Sequence, residues 1–307
     1  MSYEPENTWF NYCLDLDPHK IEEAITEEFI VSNGKRIHLD IYGKEEDLKT
    51  TVIFIHGTAV YSRFYVEFLY RLYQNGYRVV APDLPGHGLS EGRRGHFDMN
   101  LLTATIFDVT THVIDQFGEQ VVVMGSSLGG ITTLYAVAND DRIKAGVCHN
   151  AAIFNEGAHH KIVKLKGIYK ILRPIVPVFS KIIPILRLSV WIYLDAHNLV
   201  HDKRLIEKMD IVLGDRLVSD KYTLKALATQ MRAPLRRPIE DIETPVMIIG
   251  GDQDILFSVE YMQEIFDRLA RSKYKRFEML PNAPHLILHE NREESLSRIT
   301  GWLAEIL

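Results

Sequence analysis

Residues 125–129 read Gly125-Ser126-Ser127-Leu128-Gly129, and the rest of the chain is organised around them. Ahead of them, Val121-Val122-Val123-Met124 is a short apolar run of the kind that forms a strand buried on both faces. Behind them, residues 131–138 carry the apolar spacing of a helix. A G-x-S-x-G between strand and helix is a nucleophile-elbow pattern. The turn is so tight that the positions two before and two after the serine must be small, a condition Gly125 and Gly129 meet. Gly130 lets the helix lie close to the sheet. The pattern predicts a Ser127 hydroxyl exposed at the strand end, with the Leu128 N–H facing the same space.

The 307 residues, 46% hydrophobic and 25% charged, suit a globular protein with a large core. Cys13 and Cys148 are far apart, and Cys148 ends an apolar run, which predicts a buried free thiol rather than a disulfide or metal ligand. Residues 1–17 are polar and acidic, without the apolar centre of a signal peptide, and no apolar run reaches the roughly 20 residues of a membrane span. A cytoplasmic protein is the expectation. The net charge of −6 conceals an asymmetry: residues 157–194 carry seven Lys and Arg and no Asp or Glu, so the remainder stands at −13.

The pattern on either side of the elbow alternates strand and helix. Residues 27–31 and 35–42 read as a hairpin joined at Asn33-Gly34. Strands are predicted at 51–55, 77–81, 121–124, 143–148, 246–249 and 274–279, with helices near 65–74, 101–117, 259–269 and 293–307. Such repeats imply an α/β fold with a mostly parallel central sheet and helices on both faces. The rhythm stops between 155 and 241, where helix-like segments are punctuated by Pro174, Pro177, Pro184, Pro234 and Pro238. The expected organisation is a core of residues 1–154 and 242–307 with a helical lid inserted at 155–241.

A serine hydroxyl needs a base to take its proton, and the base needs an acid to hold its tautomer and stabilise its charge. The acid should follow the strand at 246–249, where Gly250-Gly251-Asp252-Gln253-Asp254 offers two carboxylates. The histidine should sit in the loop after the last strand. Pro281-Asn282-Ala283-Pro284-His285 supplies one there, and His289 is its competitor, standing where a helix begins. An oxyanion needs two backbone donors: Leu128 N–H, and Thr58 N–H from the loop His56-Gly57-Thr58 after the first parallel strand. His56, Asp83 and His87 are expected to brace loops rather than react.

Together these motifs resemble the α/β-hydrolase superfamily, and within it the monoacylglycerol lipase and lysophospholipase-like serine hydrolases. The run from His56 to Tyr65 is similar to that family's H-G-x-x-x-x-S-x-x-Y, the run from Asp83 to Gly95 to its D-x-x-G-H-G-x-S-x-G segment, and Gly125–Gly130 to its G-x-S-x-G-G elbow. Coverage is good over residues 53–138 and 246–290. The resemblance implies ester hydrolysis by Ser127, Asp254 and His285, with Asp254 preferred to Asp252 because the family's acid closes a G-x-x-D turn. It implies neither cofactor nor metal. One departure is Ser126, at a position where the family commonly has histidine.

The expected substrate is a small-molecule ester or lipid with an apolar acyl chain. Thioester or lysophospholipid hydrolysis and acyl transfer are alternatives on the same machinery, and a non-catalytic ligand-binding protein is a remote one. Within the lid, apolar side chains alternate with the seven cations, which suits either a simple pocket cover or an element resting on an anionic membrane surface. No nucleic-acid motif accompanies the charge.

Overall fold

The computed structural model describes residues 5–162, 175–192 and 194–307. Its strands are β1 (Ile25–Ser32), β2 (Lys35–Tyr42), β3 (Thr51–Ile55), β4 (Arg78–Pro82), β5 (Val121–Ser126), β6 (Ala145–His149), β7 (Arg187–Ser189), β8 (Lys221–Thr223), β9 (Val246–Gly251) and β10 (Arg276–Leu280). Eight of them form one sheet in the order β1-β2-β4-β3-β5-β6-β9-β10. β1, β2 and β4 pair antiparallel, and every pair from β4 to β10 is parallel. The hairpin turns at Asn33 and Gly34, whose φ values of 49° and 69° are the left-handed pair that a two-residue turn of this hand requires.

Sequence explains which strands lie inside. β3, β4, β5, β6 and β9 are buried at every residue, as continuous apolar runs must be when helices cover both faces. β1 lies at the edge and keeps several residues exposed. Helices α1 (Pro18–Glu23), α2 (Val66–Gln74), α3 (Met99–Phe117) and α4 (Leu128–Val137) precede the insertion. α3 and α4 pack together against β3 and β5. α2 packs on β4 and on the last helix, Arg292–Ile306. α3 starts at Asp98, whose carboxylate accepts the Leu101 N–H, and stops at Gly118 with φ 100°.

The insertion joins β6 to β9. It holds α5 (Ala158–Lys161), α6 (Val176–Ile182), α7 (Lys203–Gly214), α8 (Leu224–Thr229) and the antiparallel pair β7–β8. That pair departs from the all-helical expectation: three-residue strands are too short to show a period of two. Lys164, Lys166, Lys170 and Arg173 of the predicted cationic stretch lie outside the described residues. The chain closes with α9 (Val259–Arg268), α10 (Ile287–Glu290) and α11 (Arg292–Ile306). No described helix is long and apolar enough to cross a membrane.

The segment before α1 is tied down at both ends of its contact. Glu67, on α2, accepts the N–H groups of Leu14, Asp15 and Leu16 at 3.0, 2.8 and 2.7 Å and pairs with Arg292 at 2.8 Å. Lys208, on α7, donates to the carbonyls of Asn11 and Cys13, each at 2.7 Å. Trp9, just ahead of these anchors in the chain, is buried, with the Arg63 guanidinium 5.8 Å from its ring centroid. A second buried network joins β2 to the loop after β3. Arg63 donates twice to Asp40 at 2.9 Å and reaches Glu27 at 2.7 Å, while His38 lies 3.1 Å from Asp83 and 3.2 Å from Glu27. Burial alone would lower the His38 pKa, but Asp83 and Glu27 outweigh it and push it up to about 10.

Candidate active site

Parallel pairing brings the ends of β3, β5, β9 and β10 to one edge of the sheet, and the predicted residues follow from those ends. At the end of β5 the chain reverses at Ser127, with φ 56° and ψ −115°. A non-glycine residue held there costs about 1–3 kcal/mol, and neighbouring bonds maintain it. Ser127 N–H donates to the His149 carbonyl at 2.8 Å, and Ile131 N–H to the Ser127 carbonyl at 3.0 Å. The flanking glycines are there for space. A Cβ on Gly125 would stand 2.3 Å from the Gly129 backbone, and one on Gly129 would stand 2.0 Å from the Ile55 carbonyl oxygen.

After β9, Asp254 turns inward while Asp252 stays exposed. His285 Nδ1 lies 2.7 Å from Asp254 Oδ2. The other carboxylate oxygen accepts the N–H groups of Leu256 and Phe257 at 2.7 and 3.1 Å, and Asn150 Nδ2 donates to Oδ2 at 3.1 Å. Burial would raise the Asp254 pKa. The adjacent imidazole and these donors prevail and hold it below the ordinary carboxylate value. The two loops are stitched together, with Gln253 N–H donating to Ala283 C=O at 2.9 Å and Asp252 N–H to Leu280 C=O at 3.1 Å. The Phe257 ring stacks on the imidazole at 5.8 Å.

Ser127, His285, Thr58, Gly57 and Tyr65 line one cavity. Leu128 opens α4, so its N–H belongs to the first turn, where no carbonyl of the same helix can reach it. Thr58 N–H makes no backbone bond among the described residues. The rest of the wall is apolar and comes mostly from the insertion: Trp191, Leu194, Leu199, Met209, Val212, Leu213 and Val218.

The remaining predicted residues brace loops. His56 Nδ1–H donates to the Gly57 carbonyl at 2.9 Å, and its Nε2 accepts the Leu84 N–H at 3.0 Å. Asp83 accepts the N–H groups of Ser62 and Leu89 at 2.9 and 2.8 Å. His289 points away from Asp254 and toward the Phe64 carbonyl, 3.0 Å distant. Burial lowers its pKa to about 4.

Three contributions escaped sequence reasoning. Asn150, with φ 67°, follows β6 and steadies Asp254; only its place after a parallel strand hinted at the site. Ser126 and His149 share a buried hydrogen bond of 2.8 Å beneath the elbow. An imidazole therefore does occupy the elbow floor, supplied by the neighbouring strand. Burial, reinforced by His285, lowers the His149 pKa to about 3 and keeps the ring neutral. Tyr222, on β8, donates from its hydroxyl to His87 Nε2 at 2.9 Å and accepts the Ala59 N–H at 2.8 Å.

Residues 46–292 match the family model described as serine aminopeptidase, S33. The chain belongs to this family of α/β-hydrolases. This hydrolase is 24% identical to a monoacylglycerol lipase of Mycolicibacterium smegmatis, over 89% of the chain and 95% of the relative. The crystal structure of a monoacylglycerol lipase from Paleococcus ferrophilus superimposes with a TM-score of 0.72 at 25% identity, covering 88% of the chain and 99% of that protein. An abhydrolase domain-containing protein of Dictyostelium discoideum is 25% identical over 83% of the chain, which spans only 26% of that relative's length.

Proposed function

We propose that this hydrolase cleaves carboxylic esters of apolar acyl chains through an acyl-Ser127 intermediate. In this reading His285 Nε2 takes the Ser127 proton as Oγ attacks the ester carbonyl, while Thr58 and Leu128 N–H hold the oxyanion. The same proton passes to the departing alkoxide. Water then gives a proton to His285 and its oxygen to the acyl carbon, which frees the acid and restores Ser127. Asp254 fixes the Nδ1–H tautomer and stabilises the imidazolium. These residues need no metal or cofactor for those steps.

The observation that carries the reading is the 2.7 Å contact of His285 Nδ1 with Asp254 in a cavity that Ser127 also lines. The apolar wall favours an acyl chain. An aminopeptidase must receive a cationic α-amine, yet no Asp or Glu lines the cavity among the described residues, so the ester reading is preferred to the one in the family's name. Hydrolysis of p-nitrophenyl esters from acetate to palmitate, then of glycerol monoesters, is the test. Activity peaking at medium or long chains and lost in Ser127→Ala is expected; equal rates in variant and parent would remove Ser127 from the reaction.

The insertion is proposed to act as a lid that also rests on membranes. Support comes from exposed Val178, Ile182 and Ile185, at 56%, 70% and 50%, beside exposed Lys181 and Arg187. Such a face suits a peripheral visitor from the cytoplasm. Failure to sediment with phosphatidylglycerol vesicles at low salt would reject this part of the proposal.

A further inference from the structure

Ala59 follows the proposed oxyanion donor Thr58 and holds φ 70°, a left-handed conformation that alanine adopts only under constraint. Both of its backbone polar groups are claimed by the inserted segment. Its N–H donates to Tyr222 Oη at 2.8 Å, and its carbonyl accepts the Ser219 N–H at 2.7 Å. Tyr222 is itself held in place. His87 Nδ1–H donates to the Pro85 carbonyl, which leaves Nε2 to accept the tyrosine hydroxyl. The tyrosine ring is fully buried, edge-on to Phe97 and to the His87 ring, with centroids 4.9 and 5.5 Å away. Further bonds fix the same corner to the sheet side: Ser219 Oγ to Gly86 C=O at 3.0 Å, and Thr223 N–H to Gly95 C=O at 2.9 Å.

We infer that Tyr222 is a positioning residue for the oxyanion loop, and that the corner 219–223 of the insertion belongs functionally to the catalytic platform rather than to the lid. The inference rests on the ester-hydrolase reading only for its effect on rate. Pinning the Ala59 N–H fixes the peptide plane that also carries the Thr58 carbonyl. The plane of the Thr58 N–H joins it at the Thr58 Cα, so the aim of that donor depends on Ala59 through the two Thr58 backbone torsions. Aiming a donor at the developing charge matters in the transition state far more than in substrate binding. Tyr222 lies outside the set of cavity-lining residues, so its hydroxyl acts through the loop.

Tyr222→Phe is the variant of choice, because it keeps the ring and its packing and removes one oxygen. With a p-nitrophenyl ester, kcat should fall about 10- to 100-fold, less than or comparable to the loss of one oxyanion donor, while KM stays within about twofold. Deuterium uptake by the peptide spanning residues 56–64 should accelerate at the Ala59 amide, which loses its acceptor. This exchange readout needs no activity and serves equally if the variant is less stable, since uptake by an α3 peptide reports global opening separately. Unchanged kcat, or unchanged exchange at Ala59, would overturn the inference. Hydrolysis that persists in Ser127→Ala would instead sink the ester-hydrolase reading and leave the exchange result to judge the clamp.

Discussion

In β3, β5, β6 and β9 no residue reaches solvent, whereas Ile175, Val178, Phe179, Ile182, Ile183, Ile185, Leu186 and Ile192 of the insertion are all exposed. Within one chain, then, a platform is held by ladder hydrogen bonds and close packing beneath a roof of short elements that leaves apolar surface uncovered. The platform positions the candidate catalytic groups through strand ends, because a ladder fixes the position of each end within fractions of a residue. The roof supplies shape and greasiness, which tolerate variation. One corner of the insertion breaks the division by reaching down to Ala59, in the loop after β3.

Four measurements sharpen or break this contrast. The largest effect is expected at the platform: Ser127→Ala should lower kcat by at least about 10⁵-fold, measured on the best p-nitrophenyl ester. Asp254→Asn should cost about 10⁴-fold by spoiling the histidine tautomer, while Asp252→Asn, on an exposed side chain, should stay within about twofold. Reversed ranks for the two aspartates would mean that the ladder does not decide which carboxylate serves.

The roof should respond differently. Phe179→Glu combined with Ile182→Glu should weaken sedimentation with anionic vesicles by at least about tenfold, since burying either side chain in the interface is worth about 1.5–3 kcal/mol. Hydrolysis of a soluble short ester should stay within about twofold. A matching loss of soluble-ester activity would show that the roof is not separable from the platform.

The smallest effect concerns stability. His87, His149 and His289 are buried, with pKa values pushed down to about 3, 3 and 4, so the folded protein keeps them neutral. Below about pH 6.5 the unfolded chain takes up protons that the folded chain refuses, and stability falls as pH drops toward 4, by up to about 1.4 kcal/mol per pH unit for each histidine. His38 acts in the opposite sense. Its raised pKa favours the folded state fully below about 6.5, and that contribution fades as pH rises through about 10. A Tm profile with its maximum near neutrality is expected, and His289→Gln should flatten the acid limb by one proton's worth. A profile still rising steadily at pH 9 would contradict this balance.

Much of the platform was legible because its signals are local. The elbow needs Gly125 and Gly129 for steric reasons that depend on nothing distant. Asp254 and His285 follow strands whose apolar runs stand out, and the Asn33-Gly34 turn dictates its hairpin. The clamp was not legible. Tyr222 sits in a three-residue strand, and its partners at Ala59 and His87 lie more than 130 residues away. The Ser126 departure was visible, but its replacement was not: His149 meets it only through the register that pairs β5 with β6. An apolar face was expected on the insertion, either over the pocket or on a membrane surface, and which of its groups stay exposed depends on packing between α6 and α8.

The segment before α1 bears on how this protein can be rebuilt. Its carbonyls at Asn11 and Cys13 grip Lys208, Tyr12 hydrogen-bonds Asp215, and Asp15 pairs with Arg204 at 2.8 Å. α7, which carries Lys208, also carries Met209, Val212 and Leu213 of the pocket wall. Residues 155–241 are therefore not a self-contained cartridge. A chimera that takes its roof from a relative would need to import residues 5–16 with it, or the transplanted wall would hang from half its supports.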